Sequence, residues 1–266
     1  MKKVLAALDN SLAGRSVVAT ARALATLLGA EVEGLHVQVD GARTARMTAE
    51  AAGVPLRILA GPVVERLVDG GEEEDVIALA LGARGTPSGR RPLGGTASAV
   101  ATALGKPVVI VPPDAEPPLK LRRVLVPLEG TLSTSLAPRV IVELAPAAEI
   151  EMLALHVYDL DSLPAFTDQP QHEQRAWALE FLQRYCPWGF RDVRLETRVG
   201  RSEELVPRVA EEEDCDLIAL GWSQELASGR APVVRETLER SRLPVLLFPV
   251  RVSDEVNESL PVGLWA

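Results

Sequence analysis

The chain is written twice, and no other feature constrains its fold as tightly. KKVLAALDNS at Lys2–Ser11 returns as RRVLVPLEGT at Arg122–Thr131. Each opening is followed by an Ala/Val/Leu-rich helical pattern, Ala13–Leu28 and Ser135–Leu144. AEVEGLHV at Ala30–Val37 matches AEIEMLALHV at Ala148–Val157, and EEEDVIALALG at Glu72–Gly82 matches EEEDCDLIALG at Glu211–Gly221. LGKPVVIVP at Leu104–Pro112 matches SRLPVLLFP at Ser241–Pro249. Correspondences kept in one order predict a duplication, with similar domains at residues 1–113 and 122–250. Pro112, Pro113, Pro117 and Pro118 predict a stiff, extended join between them. Residues 251–266 are a tail that is either disordered or pins Trp265 on a domain surface.

Within the first copy the pattern alternates strand and helix. The expected strands are Val4–Leu8, Val32–Val37, Leu56–Leu59, Val76–Leu81 and Val108–Val111. They are nearly continuous apolar runs, as strands buried on both faces are, so the sheet should be parallel and covered by helices. The expected fold class is α/β: two tandem doubly wound, Rossmann-like domains, each with a five-stranded parallel sheet flanked by helices. Ligands of such sheets bind at the carboxyl ends of the strands, where strand order reverses. Asp9, Val37 and Gly82 should gather there. Between its second and third strands the second copy carries an amphipathic helix, Asp168–Tyr185, with Trp177, Phe181 and Tyr185 four residues apart. The first copy has only Ala42–Ala52, a shorter helix that leaves one side more open.

The stretch Gly82–Ser98, GARGTPSGRRPLGGTAS, joins a buried strand to a helical pattern at Ala97–Leu104. A glycine-rich loop in that place is an anion site, because free backbone N–H groups and the helix dipole converge there. Arg84, Arg90 and Arg91 add positive charge to a chain of formal net charge −9. That overall charge argues against nucleic acid and against an anionic membrane surface as partners. No apolar run approaches the roughly 18–20 residues of a spanning helix, and MKKVLAALDNS is read as a strand. Two cysteines, Cys186 and Cys215, make neither a disulfide framework nor a zinc spacing, and a reducing cytoplasm is the expected setting.

Each of these residues also has a plainer reading. The glycine loop can be a surface connection, and Asp9 can cap the following helix through an Asx turn. His36 and His156 lie within apolar strands and read as structural. The runs Glu72–Asp75 and Glu211–Asp214 read as solvated helix ends, Trp177/Phe181/Tyr185 as packing, and Cys215 as a small hydrophobe. The sequence contains no P-loop, dinucleotide fingerprint, nucleophile elbow or zinc-protease motif.

With the glycine pattern in hand, the chain resembles the universal stress protein family in tandem form. Gly82, Gly85, Gly95 and Thr96 satisfy G-x2-G-x9-G-[ST], the signature of that family's ATP-binding branch. Val4–Asp9 with Ser11, Leu35-His36-Val37, Gly61 with Val76–Gly82, and Lys106–Val111 look like the family's strands around it. The resemblance implies that Asp9 and the backbone of Ala7, Leu8 and Val37 meet adenine and ribose. It implies that Gly82, Arg84 and Gly85 line the ribose–phosphate path, and that Gly95, Thr96, Ala97 and Ser98 cradle the phosphates. ATP is the expected ligand, with Mg carried by the phosphates, slow hydrolysis or none, no catalytic residue, and a stress-response or signalling role. An interaction scaffold that binds no nucleotide, and a slow ATPase, are the competing readings. Val108–Val111 and Leu246–Phe248 are expected to pair the two domains as a pseudo-dimer, and a homodimer is the further assembly to test. The second copy departs from the signature. Gln224 replaces the second glycine, Ala231-Pro232-Val233 replaces the Gly-Thr pair, and Glu129 stands for Asp9. Nucleotide binding is expected to be lost there, although Ser228-Gly229-Arg230 could still hold a small anion.

Overall fold

The fold is given by a computed structural model, which describes residues 1–11, 13–39, 41–84, 93–113, 115–116, 120–128, 150–158, 170–185, 193–226 and 231–250. Gly85, Arg90, Arg91, Glu129, Cys186, the Ser228–Arg230 triplet, the helical pattern at 135–144 and the tail with Trp265 lie outside the described residues.

The first half runs β1 (Lys3–Ala7), α1 (Gly14–Leu28), β2 (Glu31–Gln38), α2 (Arg43–Ala52), β3 (Leu56–Ala60), α3 (Val63–Glu72), β4 (Val76–Gly82), α4 (Gly95–Ala103) and β5 (Val108–Val111). The second half contributes β6 (Arg123–Pro127), β7 (Glu151–Tyr158), α5 (Pro170–Tyr185), β8 (Val193–Val199), α6 (Ser202–Glu212), β9 (Leu217–Trp222), α7 (Pro232–Arg240) and β10 (Val245–Pro249). All the strands form one ten-stranded sheet in the order β3-β2-β1-β4-β5-β10-β9-β6-β7-β8. Read outward from the centre, the two halves have the same order. Pairing is parallel within each half and antiparallel at the join, where Ile110, Val109 and Val108 face Val245, Leu246 and Leu247. The final strands therefore pair as their edge groups predict.

The apolar runs are buried on both faces. Leu5, Leu35, Leu79 and Ile110 pack in one layer and Val4, Ala6, Val109 and Val111 in the other, and both layers continue into the second half. α1 buries Val17, Val18, Ala21, Leu24 and Ala25, a stripe at helical spacing. It stops at Gly29, whose left-handed φ of 61° lets its N–H bond Ala25 O. α7 begins at Pro232, as a proline suited to the first helical turn should.

The acidic runs have a structural role that the sequence did not disclose. Glu72 accepts the Gly105 N–H (2.6 Å), Glu73 pairs with Arg57 (2.5 Å), and Asp75 pairs with Lys3 (3.0 Å). In the second half Glu213 pairs with Arg194, and neighbouring Asp216 accepts the N–H groups of Arg122 (2.7 Å) and Arg123 (3.0 Å). These contacts tie the helix-to-strand turns to the amino ends of the sheet, opposite the end where a ligand would bind.

Candidate functional site

The sheet order reverses between β1 and β4, and there a cleft of about 460 Å3 opens at the carboxyl ends of β1, β2 and β4. That is within the usual range for small-molecule sites. Ala7, Leu8, Asp9, Val37, Gly82, Arg84, Gly95, Thr96 and Ala97 all line it. The doubly wound topology thus brings together residues from four separate stretches of chain.

Asp9 follows β1. Its Oδ1 accepts both the Ser11 N–H (2.9 Å) and the Ser11 hydroxyl (2.6 Å), the Asx turn of the plainer reading. The residue still faces the cleft, so both roles are open to it. α1 starts beside it, with Ala13 and Gly14 also on the cleft wall, and the Ala13 N–H donates to Ser11 Oγ (3.3 Å).

His36 also lines the cleft, a position that strand patterning alone does not reveal. Its Nδ1 lies 2.6 Å from Leu8 O and its Nε2 2.9 Å from Gly41 O. A neutral ring can donate to one of them. Asn10 Nδ2 donates to the same Gly41 carbonyl (3.1 Å). The imidazole therefore holds the loops after β1 and β2 together as a structural residue. Val39, 68% exposed, adds an apolar surface at the rim.

α4 begins at Gly95, earlier than the helical pattern at Ala97 predicts, because Gly94 in extended conformation serves as the N-cap. The Gly94 N–H donates to Ala83 O (2.9 Å), and a Cβ on Gly94 would lie 3.0 Å from that same oxygen. Packing against the β4 end thus leaves little room for a side chain at 94. Gly95 differs: a Cβ there would meet no heavy atom within 4 Å. The first intrahelical donor is Ser98, bonded to Gly94 O (2.9 Å). The amides of Gly95, Thr96 and Ala97 have no partner within the helix. Ser98, expected in the cradle, is not on the cleft wall, and its amide is spent inside α4.

The same end of the second half is built differently. His156 Nδ1 donates to Leu128 O (2.8 Å), repeating the His36–Leu8 bond. Its ring, however, packs against Tyr158 (4.5 Å between centroids) and Phe181 (4.6 Å), with Trp177 5.0 Å from Phe181. Trp177 and Phe181 are packing residues, as expected; the Tyr185 side chain lies outside the described set. Burial pushes the Tyr158 hydroxyl up to about 12. Trp222 is buried next to Gly221, where the first half has Ala83. Pro232, at the start of α7, has no N–H to offer. Cys215 is buried before β9, and desolvation pushes its thiol up to about 12, in keeping with a small hydrophobe.

Among the described residues no three His, Cys, Asp or Glu side chains form a metal-holding group, and no helix is long and apolar enough to cross a membrane. Asp9 is the one acidic residue and Arg84 the one Lys or Arg of the described cleft wall.

Fold and cleft together define a doubly wound α/β protein whose open switch point faces helix amino ends. Residues 120–249 match the sequence model of the universal stress protein family. The match falls on the half that departs from the glycine signature. No curated protein is significantly similar to the chain in sequence. Among solved structures, a universal stress protein from Archaeoglobus fulgidus superposes with a TM-score of 0.65 at 17% identity, over 93% of this chain and 98% of that one. A functionally unknown protein from Pseudomonas aeruginosa gives 0.66 at 14% identity, over 94% and 93%. At these identities the likeness establishes the fold. A universal stress protein family protein from Arabidopsis thaliana, solved with AMP bound, aligns over 53% of this chain and 97% of its own at 14% identity. Its TM-score of 0.37 is too low to carry its ligand across.

Proposed function

We propose that the chain is a tandem universal stress protein whose first half binds one adenine nucleotide, ATP in its working state. The second half is a copy that has lost the site. The domains in this reading are residues 1–113 and 122–250, followed by the tail 251–266, paired as an intramolecular pseudo-dimer. One observation carries the reading. The amides of Gly95, Thr96 and Ala97, without partners in α4, face a cleft into which Gly95 projects no side chain. Phosphate oxygens accept from such amides, and the helix dipole favours their charge. Arg84 and the Thr96 hydroxyl add donors. Leu8, Val37 and Val39 offer an apolar wall for adenine. The second oxygen of Asp9, not used in the Asx turn, would accept from ribose hydroxyls.

Mg bound with the nucleotide would neutralise phosphate charge. With Asp9 the only carboxylate on the described wall, the protein offers no cage of its own, and the ion would sit among phosphate oxygens. Hydrolysis needs a positioned water and further charge stabilisation, so turnover is slow or absent. Nucleotide occupancy would then be the signal of a cytoplasmic stress-response module.

The test starts with protein purified without added nucleotide. Acid denaturation and chromatography identify any retained nucleotide, and calorimetry with Mg-ATP gives the stoichiometry. One ATP per chain, lost in a Gly95→Val/Thr96→Ala double variant, supports the reading. Two per chain would restore the second half as a site. None at millimolar ATP would sink the proposal.

A further inference from the structure

The second half reaches into the first at one residue of unusual conformation. Gln224 follows β9 and has a left-handed φ of +60°. Counted from Gly221 it occupies the place that Gly85 takes after Gly82, a place where glycine is the natural residue for such a φ. A glutamine there needs a reason, and its side chain provides one. Gln224 Nε2 lies 2.7 Å from Leu104 O, 3.2 Å from Thr102 O and 3.3 Å from Ala101 O. These are the carbonyls at the carboxyl end of α4. Glu72 takes the Gly105 N–H (2.6 Å) that would have bonded Ala101 O, and the Thr102 and Leu104 carbonyls lie past the last helical donor. The last turn of α4 carries no basic residue. Among the described residues, Gln224 is the side-chain donor that closes this helix end.

We propose that Gln224 is a positioning residue for the first half's site: by capping the carboxyl end of α4 from the other half, it fixes the amides of Gly95, Thr96 and Ala97 at the cleft. The inference rests on the nucleotide reading above for its ligand, but not for its mechanics. α4 is nine residues long and its amino end has no side-chain cap. Its own half holds it through the Gly94 N–H on Ala83 O (2.9 Å) and the Gly105 N–H on Glu72 (2.6 Å), and Gln224 adds the clamp from the other half. The residue that replaced the second glycine in the degenerate copy serves the site of the other copy.

The test uses the full chain and two variants. Gln224→Gly removes the donor while relieving the left-handed backbone, so the melting temperature of the ligand-free protein should hold or rise. Gln224→Lys restores a donor that suits a helix carboxyl end. Losing the hydrogen bonds of the clamp should weaken Mg-ATP binding about tenfold in Gln224→Gly, and Gln224→Lys should recover most of it. Amide hydrogen exchange across residues 95–104 should rise in Gln224→Gly and return toward wild type in Gln224→Lys. This second readout needs no nucleotide. If the wild type binds no Mg-ATP, the proposed function fails, and the exchange rates still decide whether the clamp exists. Unchanged exchange in α4 would overturn the inference whatever the affinities. So would equal Mg-ATP affinity for wild type and Gln224→Gly.

Discussion

Adjacent glycines at 94 and 95 should respond oppositely to substitution, and the difference isolates a ligand requirement from a folding requirement. Gly95→Val places its side chain where a Cβ meets no heavy atom within 4 Å, at a residue without left-handed φ. Exchanging glycine for another residue at the first helical position gains up to about 1 kcal/mol of helix propensity at most, so the melting temperature should hold or rise. The same side chain fills the space that phosphate oxygens would occupy. Displacing them costs one or two charge-assisted amide contacts, each about 1.5–3 kcal/mol. The sum, about 1.5–6 kcal/mol, raises the dissociation constant roughly 10- to 20,000-fold. Gly94→Ala is the control. Its Cβ would sit 3.0 Å from the backbone oxygen of Ala83, so the strand end or the helix must shift. That should cost about 1–3 kcal/mol of stability by overpacking. Thermal melts without ligand and calorimetric titration with Mg-ATP read the two effects separately. Equal Mg-ATP affinity for wild type and Gly95→Val would refute the reasoning, as would a Gly95→Val protein that melts well below the Gly94→Ala one.

Other perturbations address the frame of the site. His36→Ala removes a buried ring from between Leu8 O and Gly41 O; about 1–3 kcal/mol of stability should be lost, read as a shift in urea midpoint, and an unchanged midpoint would show that the ring does not hold the two loops. Leu246→Asp puts a carboxylate into the fully packed β5–β10 join and should cost more than about 3 kcal/mol, enough to unfold much of the chain in circular dichroism at 25 °C. The Lys3 ammonium holds the Asp75 carboxyl below its ordinary 3.8, so this pair's contribution is present above that pH and fades as pH falls through the lower folded value. Asp75→Asn should therefore flatten the acid limb of a urea-midpoint profile, and two superimposable limbs would show the pair to be idle. In a Cys186→Ser background, the Cys215 thiol, raised from 9.0 to about 12, should alkylate about a thousandfold more slowly in the native protein than in urea at pH 8; comparable rates would contradict its burial.

The order of elements was legible because it is recorded in local chemistry. Strands buried on both faces need unbroken apolar runs, as at Val76–Leu81 and Val108–Val111, and a duplicated order of such runs names the sheet's two halves. The β5–β10 pairing followed, since each is the last strand of its copy and carries free edge groups. The cleft residues Asp9, Val37 and Gly82 were legible for a related reason: in a doubly wound sheet, strand ends converge whatever the loops between them do, while Thr96 was legible through the glycine signature.

What the tertiary structure alone decided depends on partners distant in sequence and on helix phase. The acidic run at Glu72–Asp75 reads as a solvated end until Arg57, Lys3 and Gly105 arrive beside it from three other elements. Ser98 is two residues beyond Thr96 in sequence, yet the turn of α4 spends its amide on Gly94 O and carries it off the wall. His36 moves the other way, from an apolar strand pattern to the cleft, because the β2 register sets its ring between two loop carbonyls. Gln224 looks from the sequence like a lost glycine. Only the antiparallel join, which sets the two copies side by side, brings its amide to the far end of the other copy's helix.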